Sequence, residues 1–127
     1  MKMHEAEDDE IRLASAALDA SPHQLIELLL DKALNTIDVA IICMQTHDDE
    51  AKKVAINKIL NIINYLRICL DFDDLESKKI STAFDSMYSY VQNILLKARV
   101  SNNEAMLSEA HQIVINIKNA WHEVPHK

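Results

Sequence analysis

The sequence predicts an all-α fold: an antiparallel four-helix bundle preceded by a short N-terminal segment that is helical or disordered. Three observations carry this. The 127 residues include no glycine and only two prolines, Pro22 and Pro125. A sheet protein of this size needs several tight turns, and those favour glycine at positive φ. Apolar residues make up 49% of the chain, enough for one core, whereas the length is too small for two domains. Finally, apolar residues recur every three or four positions in four stretches separated by polar joins. The chain thus divides into an acidic N-terminal segment (1–19), a helical bundle (20–123) and a short tail (124–127).

The elements follow in order. Glu5, Glu7, Asp8, Asp9 and Glu10 form a solvated acidic run. From Glu10 to Asp19 the set Ile11, Leu13, Ala14, Ala17 and Leu18 supports a short, weak helix. A strong start signal comes next: Ser21 as N-cap, Pro22 in the first helical position and Gln24 three residues after the cap, a capping box. The helix it opens is expected to reach Thr46. Asp48, Asp49 and Glu50 complement the N-terminus of a second helix, Asp49 to Leu70, with Ile56, Ile59, Ile63, Leu66 and Leu70 on its core side. After the acidic connector Asp71–Glu76, a third helix spans Ser77–Val100 through Ile80, Phe84, Met87, Val91, Ile94 and Ala98. Ser101, Asn102 and Asn103 break the pattern. A fourth helix, Glu104–His122, carries Met106, Ala110, Ile113, Ile117, Ala120 and Trp121 before Pro125 stops it. Trp121, Tyr88 and Leu66 are assigned to the core.

Some apolar residues exceed what a core stripe needs. The second helix is apolar over about half its circumference, wider than the ~100° of a simple amphipathic helix. Val54, Tyr65 and Ile68 fall outside even that arc. Leu28, Val39 and Ile42 form a second stripe on the first helix, and Leu96 and Ile115 are strays. A bundle helix touching two neighbours accounts for a broad arc, and a groove for a partner's amphipathic helices accounts for the strays.

Charge and motifs exclude several functions. With a formal net charge of −7 and no evident Lys/Arg cluster in the linear sequence, the chain is not expected to bind nucleic acid or insert in a membrane. No apolar run approaches the ~18 residues of a membrane span, and the start lacks the apolar core of a secretory signal. Cys43 and Cys69 fit a reducing compartment. On neighbouring antiparallel helices they would sit about 22 Å apart at 1.5 Å per residue, beyond disulfide reach. Both read as small buried hydrophobes. His122-Glu-Val-Pro-His126 satisfies the His-Glu-x-x-His zinc pattern, which needs both imidazoles on one continuous helix; Pro125 breaks it. The same tail holds the one Glu-x-x-His, so no paired di-iron motif exists. Asp71–Glu76 lacks the ligand spacing and mid-loop glycine of a calcium loop. His111 has no basic neighbour within a turn, and His23 and His47 have no obvious partner. No catalytic residue, metal or cofactor is assigned.

The residues also resemble a family. Ala20-Ser-Pro-His-Gln-Leu-Ile26 with Leu29, Asp31 and Ala33 is similar to the opening helix of FliS-type flagellar export chaperones. Ala55, Ile62-Ile63, Leu66 and Leu70-Asp71 match that family's second helix. Met87-Tyr-Ser-Tyr90, Leu95-Leu-Lys-Ala98 with Asn102-Asn103, and Ile117 with Ala120-Trp121 match its later elements, in order over most of the chain.

The resemblance implies a cytoplasmic, non-enzymatic chaperone, monomeric when free. It would bind the C-terminal region of flagellin, prevent premature polymerisation and deliver the cargo to the cytoplasmic domain of the flagellar export gate. It also implies an N-terminal segment that covers the cargo groove, here through Ile11 and Leu13. The cargo surface is placed on Leu28, Val39, Ile42, Tyr65, Ile68, Tyr90 and Ile115. A bundle that self-associates through the same residues is the alternative. The sequence departs from the family in lacking its N-terminal aromatic, and in having Lys32 where a glycine follows the first-helix Asp. These departures point to a divergent member.

Overall fold

The computed structural model describes residues 19–125. Four helices follow one another: α1 (Pro22–Gln45), α2 (Asp49–Ile68), α3 (Leu75–Arg99) and α4 (Glu104–Glu123). Each helix packs on its sequence neighbours, and α4 closes the ring against α1; the backbones of the diagonal pairs stay apart. Cross-links at both ends show the antiparallel sense. Gln45 at the end of α1 donates to Glu104 at the start of α4, and Trp121 at the end of α4 reaches His23 at the start of α1. The expected weak helix from Glu10, the acidic run, Ile11, Leu13 and His126 lie outside the described residues.

Each helix start has a local cause. Ser21 Oγ accepts from the Gln24 N–H at 3.2 Å while Gln24 Oε1 accepts from the Ser21 N–H at 3.0 Å, so the predicted capping box forms. Asp48, Asp74 and Asn103 cap the other three helices with their side-chain oxygens. Hydrogen bonds from the Ser77 backbone and hydroxyl hold the Asp74 carboxyl below its ordinary pKa. This cap starts α3 at Leu75, two residues before the predicted Ser77, and α2 stops at Ile68 rather than Leu70.

The α1–α2 turn shows how a chain without glycine reverses. His47 adopts φ 58°, the left-handed region where histidine is tolerated but glycine is preferred. Its N–H donates to Met44 O and that of Asp48 to Cys43 O, the paired bonds that satisfy the last carbonyls of a helix. Asp48 therefore ends α1 and, through its side chain, begins α2.

The core is continuous along the bundle. Leu30, Ala33, Ile37 and Ala40 of α1 meet Ile56, Ile59 and Ile63 of α2, Val91, Leu95 and Ala98 of α3, and Leu107, Ala110, Val114 and Ile117 of α4, all fully buried. Burying a Leu or Ile side chain contributes about 1.5–3 kcal/mol, so this layer outweighs any surface contact. Tyr88 and Leu66 are in the core as expected, whereas Trp121 packs partly buried against it. On α4 the predicted stripe is turned by about one residue: Leu107 and Val114 are buried and Ala120 is exposed. Cys69 corrects another expectation. Both cysteines are free, but Cys69, at the C-cap of α2, is exposed, and Cys43 is partly buried.

Two polar features tie the helices together. Along the α1–α4 seam Glu27 meets His122 at 3.0 Å, Asp31 meets Lys118 at 2.5 Å, and Asp38 meets His111 at 3.3 Å. The α1 carboxylates therefore face α4. At the opposite end Lys52 is 2% exposed; its ammonium donates to the Ser101 carbonyl at 2.7 Å and pairs with Asp49 at 3.2 Å. A buried ammonium is tolerated only with such partners.

Candidate partner-binding surface

On α1 the residues Leu28, Val39 and Ile42 lie on the side away from the core. Val39 is 51% and Ile42 58% exposed, and Leu28 is half-buried. On α2, Val54, Lys58, Asn61, Tyr65 and Ile68 recur every three or four residues and are all exposed, with Ile68 at 72%. Leu28, Val39, Ile42, Tyr65 and Ile68 thus fall on two neighbouring helices. The other two proposed residues stand apart. Tyr90, on α3, donates its phenol to Glu109 of α4 at 2.6 Å, and that carboxylate raises the phenol pKa. Ile115 is half-buried between the Lys118 and His111 rungs of the α1–α4 seam.

The structure adds apolar surface that the sequence reading left out of the site. Val54 extends the α2 row, and Phe72, Leu75, Leu96 and Val100 are also exposed. Val54 and Leu96 were visible in the sequence as residues off the core arc. Phe72 falls in the α2–α3 connector and Leu75 is the first residue of α3, where helical periodicity gives no signal.

At the end of the bundle where α1 begins lies a cleft of about 450 Å³. Ile26, Leu66, Leu70, Ile80, Phe84 and Trp121 supply its apolar lining, and Asp71 and Asp74 of the α2–α3 connector with Glu76 of the first turn of α3 border it. Beside it, α1 and α4 are clasped. The His23 ring stacks on Trp121 with centroids 4.8 Å apart and planes 20° from parallel. Trp121 Nε1–H donates to the His23 carbonyl at 3.1 Å, and His23 Nε2 lies 3.1 Å from the Trp121 carbonyl, to which its Nε2–H tautomer donates. Phe84 meets the same indole edge-on at 5.7 Å. His23, which offered no partner in the sequence, is therefore a buried closing residue. The contact spans 98 positions, so no local signal could have revealed it.

Helix α4 ends at Glu123 and Val124 is extended; His126 lies outside the described residues. His122 is paired with Glu27. Among the described residues no group of three or more His, Cys, Asp or Glu could hold a metal ion, and no helix is long and apolar enough to cross a membrane.

Fold and surface together define a class: an all-helical bundle that leaves apolar side chains exposed outside its core. The sequence matches the family described as "Flagellar protein FliS" over residues 5–127. It is 34% identical over 118 residues to the flagellar secretion chaperone FliS of Salmonella typhimurium strain LT2, covering 93% of this chain and 87% of that one. With its Escherichia coli K12 counterpart the identity is 32% over 114 residues, covering 90% and 83%. A flagellar secretion chaperone FliSB of Pseudomonas aeruginosa PAO1 is 27% identical over 117 residues, covering 92% and 91%. The chain belongs to the FliS family, and its relatives are flagellar secretion chaperones.

Proposed function

We propose that this protein, in the cytoplasm and without catalysis, binds the C-terminal region of flagellin as a monomer. It thereby prevents premature polymerisation and hands the cargo to the cytoplasmic domain of the flagellar export gate. The observation that carries this reading is the pair of exposed apolar rows on α1 and α2, present in a bundle whose core is already complete. A partner segment, unfolded when free, would fold its apolar faces onto Leu28, Val39, Ile42, Tyr65 and Ile68, with Tyr90 and Ile115 further round the bundle. Ordering such a segment offsets part of the contact energy, so the complex stays releasable.

The N-terminal cap belongs to the same proposal. In the absence of cargo, Ile11 and Leu13 would cover the apolar rows of α1 and α2 and hide that surface until export.

The test is a calorimetric titration of the purified protein with a peptide of the last ~40–60 residues of flagellin, followed by circular dichroism, because coupled folding requires a gain of helix. A 1:1 complex with added helicity is expected. Absence of binding to every flagellin of the source organism refutes the reading.

A further inference from the structure

The cleft beside the start of α1 is separate from the rows assigned to flagellin: none of its lining residues belongs to them. Its volume, about 450 Å³, falls within the ~300–1,000 Å³ usual for ligand sites. Phe84, Tyr88 and Trp121 bring three aromatic rings to it.

Tyr88 sets the chemistry of the interior. Its side chain is 1% exposed and lines the cleft. Among the described residues its hydroxyl has no hydrogen-bond partner, whereas every fully sealed side-chain polar atom has one. The phenol oxygen therefore stays open to the cleft. A buried phenol ordinarily finds a partner, and leaving it without one is costly.

The mouth is acidic. Asp71, Asp74 and Glu76 line it, and no Lys, Arg or His does. None of the three carboxylates makes an ion pair among the described residues. Asp74 caps α3 through hydrogen bonds from Ser77, which hold its carboxyl below the ordinary pKa, so it stays charged. The Ser81 hydroxyl donates to the Asp71 carbonyl, and the Asp71 carboxylate accepts from the Asp73 N–H at 2.9 Å, so the rim is held in place. The α3 N-terminus offsets about half of one charge, which leaves the mouth negative.

We propose that this cleft is a second docking site, for a basic segment of a partner protein that inserts one methionine. Methionine is unbranched and fills irregular apolar space, and its sulfur is favourable against aromatic rings. That sulfur is also a weak acceptor, which gives the Tyr88 O–H a partner. Lys or Arg beside the methionine meets Asp71 and Glu76 at the mouth, and an acidic segment is repelled there. The site stands whether or not flagellin uses the outer rows.

Trp121 is the chain's one tryptophan and lines the cleft, so its fluorescence reports occupancy. Three short tryptophan-free peptides are titrated into the full-length protein: one Met between Lys residues, the same Met between Glu residues, and the Lys peptide with norleucine for Met. The Lys-flanked Met peptide is expected to shift the emission saturably. At low salt it should bind on the order of tenfold more tightly than the Glu-flanked one. Asp71→Asn/Glu76→Gln should remove that preference, with Asp74 kept because it caps α3; either single substitution serves if the pair fails to fold. Norleucine should weaken binding roughly two- to tenfold, and Tyr88→Phe should narrow that difference.

No saturable emission change, equal binding of the Lys- and Glu-flanked peptides, or a preference that survives Asp71→Asn/Glu76→Gln overturns the proposal. Norleucine binding as tightly as methionine removes the sulfur contact and overturns it too. So does binding seen only in Ile11→Ser/Leu13→Ser, which gives the cleft to the chain's own N-terminal segment. Emission that changes with protein concentration alone gives it to a second copy, and displacement by the flagellin peptide gives it to the cargo; each is a contrary result.

Discussion

Ile63 and Ile68 sit five residues apart on α2, one fully buried and the other 72% exposed. The account requires their substitutions to separate stability from binding. Ile63→Ala removes atoms from the core and leaves a cavity, which costs about 2–5 kcal/mol of folding stability. Folding covers little more than a quarter of Ile68, so its truncation should cost about 0.5 kcal/mol or less. Burial of the remaining surface under a partner helix would be worth about 1–2 kcal/mol, or roughly five- to thirty-fold in Kd. Urea denaturation measures the first effect and titration with the flagellin peptide the second. Ile68→Ala leaving partner affinity unchanged would show that the α2 row is bare surface. A loss of stability comparable to that of Ile63→Ala would show that Ile68 is misplaced.

Three further outcomes follow from the same geometry. His47→Gly should raise stability by up to about 1 kcal/mol, because glycine adopts the positive φ without the Cβ penalty that histidine bears there; a lower urea midpoint would contradict the assigned turn. Lys52→Met should destabilise by about 1–3 kcal/mol, since it strips the carbonyl of half-buried Ser101 of its donor, and thermal denaturation reads this directly. Burial raises the Tyr88 phenol well above its ordinary pKa of 10.0. The folded state therefore holds that proton more tightly than the unfolded state. The associated stability is complete below pH 10 and is lost as pH rises toward the folded value. An absorbance titration should show Tyr88 ionising only as the helix signal is lost, with its early ionisation as the contrary result.

Much of the fold was legible because it is periodic. Ile56, Ile59, Ile63 and Leu66 repeat at helical spacing and are buried, and Ser21 with Gln24 spells a cap that forms as written. The errors arise where periodicity underdetermines the answer. On α4, Met106, Leu107, Ile113 and Val114 form adjacent apolar pairs, so the stripe could be drawn through either member, and packing chose Leu107 and Val114. Cys69 was expected inside but lies exposed at the C-cap of α2. The site was less legible than the fold. Val54, Tyr65 and Ile68 stood out as residues off the core arc, but the His23–Trp121 clasp and the burial of Lys52 depend on which helices meet.

The central claim is that flagellin's C-terminal region folds onto the exposed rows of α1 and α2. Methyl-labelled NMR of the protein, titrated with the flagellin peptide, tests this most directly. The account predicts large shifts and intermolecular contacts at Val39, Ile42, Val54 and Ile68, with Ile37, Ile56, Ile59 and Ile63 showing no direct contacts to the peptide. A saturable complex that leaves those four exposed methyls unchanged would contradict it.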